Sequence, residues 1–298
     1  MSRFVFAVLF HEYPSSARQL IFSILRYYPD AIIYYGLDRK DSFLNDLSRK
    51  GWDSIQEHRL AVLRWPPKWN FFPNDPRIRY VIPQREYSWK NLHRFLFDVI
   101  EQSKQDDYEW LICLDSDSML CGTGIRDICK GTWDFSSRMW SLDKYMCWYQ
   151  GKIFRKNWNY YEALVKDLSI QCEPHNYSTI FAFFVLSKKA TSVLRNFIPR
   201  LEHNRNFQYY EDPSRNPNPL WEAFLPQFLS DLGLECHDVY PQMPGYRWRP
   251  FWTIREYNKA IWFYHPINRY PRDPFRVYLQ LFHNSEINYD HDNKFSPG

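Results

Sequence analysis

The chain has 298 residues, of which 45% are hydrophobic and 24% are charged. This composition suits a soluble globular protein and excludes a disulfide-stapled miniprotein, a disordered chain and a polytopic membrane protein. The net charge of +4 comes from 38 basic and 34 acidic residues, too even a balance to indicate a nucleic-acid-binding protein. Aromatic residues make up 19% of the chain, and such flat amphipathic rings suit the lining of a ligand groove as well as a core.

The cysteines and the longest apolar runs bear on the cellular compartment of the protein and on whether it spans a membrane. Six cysteines occur without a C-x-x-C pair, which predicts reduced thiols and a reducing compartment. The runs from Phe4 to Phe10 and from Ile180 to Leu186 are each seven residues long, well short of the roughly 20 that a membrane-spanning helix needs. We therefore expect a cytoplasmic protein without a transmembrane segment, and peripheral association with a membrane stays open.

The first 120 residues alternate between strand and helix patterns. Phe4 to Phe10 is an apolar run typical of a strand buried on both faces of a parallel sheet, and Ser15 and Ser16 are predicted to cap the following helix, which Pro29 ends. Further strands are predicted at Ala31–Tyr35, Arg79–Ile82 and Trp110–Leu114, and further helices from Phe43 to Gly51 and over Trp89–Ser103. This pattern predicts an α/β, Rossmann-like doubly wound sheet, which binds ligands beyond the carboxyl ends of its strands.

The pattern changes after Thr132. We predict aromatic-rich loops there, then a strand at Ile180–Leu186, helices over Lys189–Leu201 and Leu220–Leu232, and a tail rich in proline and tryptophan. Neither repeats nor a clear linker divide the chain. We therefore expect one domain over residues 1–298, composed of the halves 1–120 and 121–298.

Two acidic residues follow the predicted strand Trp110–Leu114. If the extended conformation persists beyond the strand, Asp115 and Asp117 point to the same side and Ser116 points away. Two carboxylates so placed can hold Mg²⁺ or Mn²⁺ that bridges to the phosphates of a nucleotide. The simpler alternative is a loop cap or an exposed acidic pair.

The stretch Leu111-Ile112-Cys113-Leu114-Asp115-Ser116-Asp117 resembles the DxD motif of the GT-A fold nucleotide-sugar glycosyltransferases. Phe183-Phe184-Val185-Leu186-Ser187-Lys188-Lys189-Ala190 is similar to the strand and helix start that follow the acceptor loops in several of these families. The resemblance implies a mixed GT-A sheet, with residues 1–120 binding the nucleotide sugar and residues 121–298 forming the acceptor-binding and catalytic half. It also implies that Asp117 binds the metal directly, that Asp115 lies near the ribose or the metal's waters, and that the donor is a UDP-sugar.

Glu222 is the candidate catalytic base. It follows a proline-rich loop at the start of a predicted amphipathic helix, where the helix dipole favours a charged carboxylate. In inverting enzymes of the resembled fold, a carboxylate at such a helix start deprotonates the acceptor hydroxyl. Glu211 and Asp212 are the reserve candidates, and the simpler alternative for Glu222 is a first-turn residue that only stabilises its helix.

Four further residues are candidates for binding the metal or the nucleotide. His265, in Trp262-Phe263-Tyr264-His265-Pro266, resembles the histidine that completes the metal or diphosphate site in many GT-A enzymes, and imidazole suits Mn²⁺ better than Mg²⁺; its alternative is a core histidine. His11 and Asp38 follow the first two predicted strands and so could approach the nucleotide. Arg247 represents the basic residues of the tail, one or two of which could pair with the diphosphate; the group comprises Arg247, Arg249, Arg255, Lys259, Arg269 and Arg272.

The aromatics expected either in acceptor-binding loops or in the core are Trp133, Trp140, Trp148, Trp158, Tyr160 and Tyr161.

Together with the resemblance, these residues predict an enzyme that uses Mn²⁺ or Mg²⁺ to transfer a hexosyl or N-acetylhexosaminyl group. The donor is a nucleotide diphosphate sugar and the acceptor is a glycan or another hydroxyl compound. The transfer inverts the anomeric configuration if Glu222 is the base. One alternative is a phosphatase of the haloacid dehalogenase type with Asp115 as nucleophile. It fits less well, because that motif usually lies near the N-terminus and no late acidic pair follows a buried strand. A non-catalytic glycan- or nucleotide-binding module is the second alternative.

Overall fold

The computed structural model describes residues 3–10, 14–37, 75–81, 92–141, 154, 156–172, 177–212, 221–247, 250–268 and 273–287. The predicted helix from Phe43 to Gly51 lies outside these ranges, and so do the candidate residues His11 and Asp38.

The secondary structure alternates between strands and helices along much of the chain. Strands β1 to β9 cover Phe4–Phe10, Ile32–Leu37, Ile78–Tyr80, Trp110–Asp115, Met119–Leu120, Phe135–Ser141, Tyr177–Ser187, Cys236–Asp238 and Phe263–Tyr264. Helices α1 to α8 cover Pro14–Tyr27, Leu92–Gln102, Ile125–Ile128, Trp158–Asp167, Lys188–Glu202, Arg205–Glu211, Trp221–Asp231 and Pro274–Ile287. Short 3-10 helices cover Tyr240–Gln242 and Ile254–Glu256.

Seven of the described strands form one sheet in the order β3-β2-β1-β4-β7-β6-β8. Strands β3, β2, β1 and β4 are parallel, and their order matches that of a Rossmann-like doubly wound sheet. Strand β7 is antiparallel to both β4 and β6, whereas β6 and β8 are parallel to each other. The fold is therefore mixed α/β with a mostly parallel sheet, to which residues before and after position 120 both contribute strands.

Both faces of the sheet are covered by apolar side chains. Val5 and Ala7 of β1 point into a core shared with α2, α5 and α7, whereas Phe6 and Val8 point into a second core with α1. Burial on both faces explains why β1 is an uninterrupted apolar run. A smaller cluster around Met119, Tyr264 and Phe275 packs β5, β9 and α8 together.

Several predicted elements differ from the structure. Helix α1 begins at Pro14, so Ser15 and Ser16 lie in its first turn and do not precede it; a proline suits that first position because its missing N–H has no helical partner there. Residues 135–141 and 158–167, predicted as loops, form β6 and α4. The tail, for which the sequence predicted only a richness in proline and tryptophan, contains α8. Strand β6 was missed because its sequence, FSSRMWS, has no clear apolar alternation and its pairing with β7 and β8 is long-range.

The five described cysteines, Cys113, Cys121, Cys129, Cys172 and Cys236, are all free thiols, as predicted, and Cys147 lies outside the described ranges. Burial raises the pKa of the Cys113 thiol far above its usual value, so this thiol stays protonated. Within the described part of the chain, every helix is too short or too polar to cross a bilayer.

Candidate active site at the carboxyl end of the central strands

The acidic motif occupies the end of β4 and the turn after it. Asp115 is the last residue of the strand, and the amide of Ser118 donates to the carbonyl of Asp115 at 3.0 Å, which closes a turn over Ser116 and Asp117. The expectation that strand alternation continues through Asp117 is therefore wrong, because the Asp-Ser-Asp sequence favours a turn. Asp117 is buried within this turn, whereas Asp115 keeps partial exposure.

Backbone pairing holds this turn against a segment from the C-terminal part of the chain. Strands β5 and β9 pair in antiparallel register with Met119 opposite Tyr264, and the amide of Ile267 donates to the carbonyl of Asp117 at 2.7 Å. The fully buried Arg276 donates to the carbonyl of Ser116 at 3.3 Å and to that of Asn268 at 2.9 Å. The acidic turn and residues 263–268 thus form one unit.

That unit brings together two of the predicted metal ligands. Nε2 of His265 lies 3.2 Å from Oδ1 of Asp117, and both side chains are buried. Nδ1 of His265 lies 3.0 Å from the carbonyl oxygen of Arg247, so Nδ1 carries a hydrogen and donates it. In the neutral imidazole, Nε2 would then be an acceptor facing a carboxylate oxygen. Two acceptors at this distance need either a shared proton or a metal ion between them.

The residues present fit a divalent cation of the Mn²⁺ type. Two neighbouring ligands of an octahedral ion with bonds of about 2.1 Å lie about 3.0 Å apart, close to the 3.2 Å between Asp117 and His265. A backbone carbonyl on the other ring nitrogen is the usual support of a metal-binding histidine. Among the residues described, no cluster of three or more His, Cys, Asp or Glu side chains could hold a metal. A metal here would therefore take its remaining ligands from water and substrate phosphates, as Mg²⁺ commonly does.

Tyr246 lies within electrostatic reach of the predicted carboxylates, a position that the sequence did not indicate. It is buried, its backbone forms a parallel bridge with His265, and the two rings lie 5.2 Å apart. Burial raises the pKa of its hydroxyl well above the usual value, and the negative charges of Glu222, Asp117 and Asp115 raise that pKa further. The fold therefore brings all three predicted carboxylates within electrostatic reach of one phenol.

Glu222 lies in the first turn of α7, the position that the sequence predicted. It is 8% exposed, and the residues after it, Ala223 and Phe224, are buried in the core that α7 shares with the sheet. The burial of these two residues anchors the first turn of the helix, and the charge of Glu222 reaches Tyr246. The helix N-terminus also favours a charged carboxylate there.

Arg138 is a basic neighbour of this site that the sequence did not indicate. It lies on β6 where the register with β7 shifts between Ser137 and Met139, and such bulges often redirect a side chain next to an active site. Its guanidinium lies 3.9 Å from the ring centroid of Tyr240 and donates to the carbonyl of Tyr246 at 3.0 Å. The positive charge of Arg138 partly offsets the effect of the carboxylates on Tyr246.

The reserve candidates for the base have other partners or positions. Glu211 is buried between His93 and Arg94 and accepts hydrogen bonds from both. Burial alone would raise its pKa, but these two partners outweigh burial and lower the pKa to about 2. Because a base that works near neutral pH needs a higher pKa, Glu211 suits a structural role that joins α2 to α6. Asp212 is the C-terminal cap residue of α6.

Arg247 is engaged with residues of its own loop. Its guanidinium donates to both carboxylate oxygens of Glu256, at 2.7 and 3.1 Å, and stacks 3.9 Å from the ring centroid of Trp252. Further donors reach the carbonyls of Pro250 and Phe251 at 2.8 Å each. The side chain thus stabilises residues 250–256, and its contact with a nucleotide stays a prediction. Of the other predicted basic residues, Arg255 and Lys259 are exposed, and Arg249, Arg269 and Arg272 lie outside the described ranges.

The predicted acceptor-binding aromatics that can be described pack within the fold. Tyr161 is fully buried, Tyr160 stacks on Tyr209 with centroids 3.7 Å apart, and Trp133 stacks on His237 at 3.9 Å. Trp158 packs against Tyr161 at 4.9 Å. These contacts agree with the core alternative; Trp148 and the side chain of Trp140 are outside the described part of the chain.

Comparisons with known proteins find similarity among solved structures. No protein-family model matches the chain, and no curated protein matches it. Among solved structures, the apo form of the glycosyltransferase GlyE from Streptococcus pneumoniae TIGR4 is similar with a TM-score of 0.37 and 10% sequence identity. The similarity covers 80% of this chain but only 45% of GlyE. That TM-score is too low to establish a shared fold.

Proposed function

We propose that this protein is a metal-dependent glycosyltransferase of the GT-A type, which transfers a hexosyl or N-acetylhexosaminyl group from a UDP-sugar to a hydroxyl acceptor. The observation that carries the proposal is the buried pair of Asp117 and His265, with nitrogen and oxygen 3.2 Å apart, at the carboxyl end of β4. The charges of Asp115 and Glu222 act on Tyr246, whose backbone forms a bridge with His265, so the candidate base and the cation-binding pair lie within electrostatic reach of one phenol.

Each group has a distinct task in the proposed reaction. Asp117 and His265, with Asp115 beside them, would hold Mn²⁺ or Mg²⁺, which supplies Lewis-acid stabilisation of the diphosphate leaving group. Glu222 accepts the proton of the acceptor hydroxyl as that oxygen forms a bond to the anomeric carbon of the sugar. The bond from the anomeric carbon to the β-phosphate oxygen breaks, and its electron pair stays on that oxygen. This single displacement inverts the anomeric configuration.

A thermal-shift titration tests the proposal, because a ligand that binds only the folded state raises the melting temperature. Wild type and Asp117→Asn are titrated with UDP, GDP and p-nitrophenyl phosphate, each with and without Mn²⁺. Asp127→Asn is the matched control, since Asp127 is an exposed carboxylate whose partner is Lys130. We expect UDP to stabilise wild type and the Asp127 variant only when Mn²⁺ is present, and not to stabilise Asp117→Asn.

Two results would contradict the proposal. One is the absence of any Mn²⁺-dependent response to a nucleoside diphosphate in wild type. The other is Mg²⁺-dependent hydrolysis of p-nitrophenyl phosphate that is lost in Asp115→Asn, which would favour the phosphatase alternative, because that mechanism needs Asp115 as a nucleophile.

A further inference from the structure

We propose that Arg276 is a positioning residue of the candidate metal site, whose guanidinium fixes the separation of Asp117 and His265 and so sets the affinity for the divalent cation. The inference rests on the proposed glycosyl transfer, because it concerns the cation of that reaction. Arg276 lies outside the predicted set of ligands and bases, and the hydrogen bonds of its guanidinium carry the inference.

The guanidinium bridges the two chain segments that carry the pair. Its Nη2 donates to the carbonyl of Ser116 at 3.3 Å, and its Nε donates to the carbonyl of Asn268 at 2.9 Å. Ser116 directly precedes Asp117 in the chain, and Asn268 directly follows Ile267. The amide of Ile267 donates to the carbonyl of Asp117 at 2.7 Å. These bonds close a ring, so neither segment can shift along the other without breaking at least one of them.

The shape of the guanidinium suits this bridge. Nε and Nη2 lie on one edge of a planar charged group, so their N–H bonds point in parallel at two neighbouring acceptors. Lysine has a single nitrogen at the end of a flexible stem and cannot hold two carbonyls at a fixed spacing in the same way. The bridge between the two segments therefore depends on an arginine at this position.

The guanidinium is itself held in place. Arg276 is fully buried in the first turn of α8, where the carboxylate of Asp273 accepts from the amides of Phe275 at 3.0 Å and Arg276 at 3.2 Å. Such a carboxylate caps the helix and fixes its first turn. At the far side of the guanidinium, Nη1 donates to Oε1 of Gln19 at 3.4 Å, and Nε2 of Gln19 donates to Gln280 at 2.8 Å. The guanidinium is thus fixed between α1, α8 and the acidic turn.

These contacts bear on cation binding as well as on stability. A fully buried charge costs free energy to desolvate, so an apolar side chain would serve packing alone equally well. The bond lengths of a bound cation are narrowly defined, so a shift of one segment against the other would spoil the spacing of Asp117 and His265. Groups that orient metal ligands commonly contribute about 10–100-fold to metal affinity, and Arg276 has this position.

The test compares Arg276→Lys with Arg195→Lys. Arg195 is a matched control, because its Nη2 also donates to a backbone carbonyl, that of Ile100 at 2.7 Å, but it joins α5 to α2. Gln19→Ala is a milder variant of the same contact, since Gln19 is only half-buried. For each variant, we measure the melting temperature without ligand and the Mn²⁺ midpoint, the Mn²⁺ concentration that gives half of the UDP-dependent thermal shift.

We expect Arg276→Lys to raise the Mn²⁺ midpoint at least about tenfold. Excess Mn²⁺ should restore its full UDP response, because the metal ligands themselves are still present. Arg195→Lys should also lower the melting temperature but leave the Mn²⁺ midpoint within about twofold of wild type. Gln19→Ala should raise the midpoint about two- to fivefold, as expected for the loss of one hydrogen bond. Added to Arg276→Lys, Gln19→Ala should have less than about a twofold further effect, because Gln19 acts through Arg276.

An unchanged Mn²⁺ midpoint in Arg276→Lys would overturn the inference, and so would an equal rise in Arg195→Lys, since lost stability alone would then account for it. If Arg276→Lys does not fold, Gln19→Ala decides, and a wild-type midpoint there overturns the inference. These results leave the proposed transferase intact, because wild type responds to UDP with Mn²⁺ in each of them. The absence of that response in wild type would instead overturn the proposed function together with the inference, and this is established before any variant is compared.

Discussion

Nε2 of His265 lies 3.2 Å from Oδ1 of Asp117, although the two residues are far apart in the sequence. The short antiparallel pairing of β5 with β9 causes this proximity, because Met119 lies opposite Tyr264 and the chain before Met119 must then run beside the chain after Tyr264. The bond from the amide of Ile267 to the carbonyl of Asp117 continues that pairing. A two-residue strand thus determines the geometry of the candidate metal site.

The first prediction concerns His265. Replacing His265 by Ala removes one of the proposed protein ligands, so the Mn²⁺ concentration that gives half of the UDP-dependent thermal shift should rise at least about tenfold. His203→Ala is the control, since His203 is exposed and its ring contacts only the carbonyl of Pro199 among the contacts described. An unchanged Mn²⁺ midpoint in His265→Ala would assign the pair to an ordinary ion pair in the core.

The second prediction separates Glu222 from Glu211. Glu222→Gln keeps the shape of the side chain but cannot accept a proton, so kcat should fall by about 10²–10⁴-fold, while the UDP response stays as in wild type. Glu211→Gln should instead lower the melting temperature, because His93 and Arg94 lose their charged partner. Measured kcat values for the two variants at equal folded concentration decide the assignment, and a larger loss in Glu211→Gln would reverse it.

The third prediction is a pH dependence of stability. Partners in the folded state lower the pKa of Glu211 from 4.5 to about 2. A carboxylate with a depressed pKa stabilises the fold at pH values above its unfolded pKa, and this contribution is lost as the pH falls from 4.5 toward 2. The shift corresponds to an upper limit of roughly 3 kcal/mol. Urea unfolding at pH 6 and pH 3 should therefore show a smaller loss of stability in Glu211→Gln than in wild type, and equal losses would contradict the proposed charge pairing.

Some of this arrangement could be predicted from sequence because it depends on local patterns. An apolar run before Asp115 identified a buried strand, and the proline-rich loop before Glu222 identified a helix start. The partners of Arg138, Tyr246 and Arg247 could not be predicted in this way. Arg138 depends on a bulge in a strand with no clear alternation, and Tyr246 on a single bridge to His265. Arg247 resembled its basic neighbours in sequence, and only the folded loop pairs it with Glu256.

The fourth prediction uses two glycines to separate stability from geometry at the site. A Cβ added at Gly245 would lie 1.8 Å from the carbonyl oxygen of Phe263, so the backbone of the segment that carries His265 must move. Gly233 has a φ of +72° and open space around its Cβ position, so alanine there causes only backbone strain, at a cost of about 1 kcal/mol.

Both Gly245→Ala and Gly233→Ala should lower the free energy of unfolding, the former by about 1–3 kcal/mol as expected for overpacking. Only Gly245→Ala should also raise the Mn²⁺ concentration needed for the UDP response, because the carbonyl of Gly245 accepts a hydrogen bond from the amide of His265 and so fixes the backbone of His265. If Gly245→Ala is destabilised but responds to UDP and Mn²⁺ as Gly233→Ala does, the position of His265 does not control cation binding, since the backbone shift would then have moved His265 without consequence for the metal.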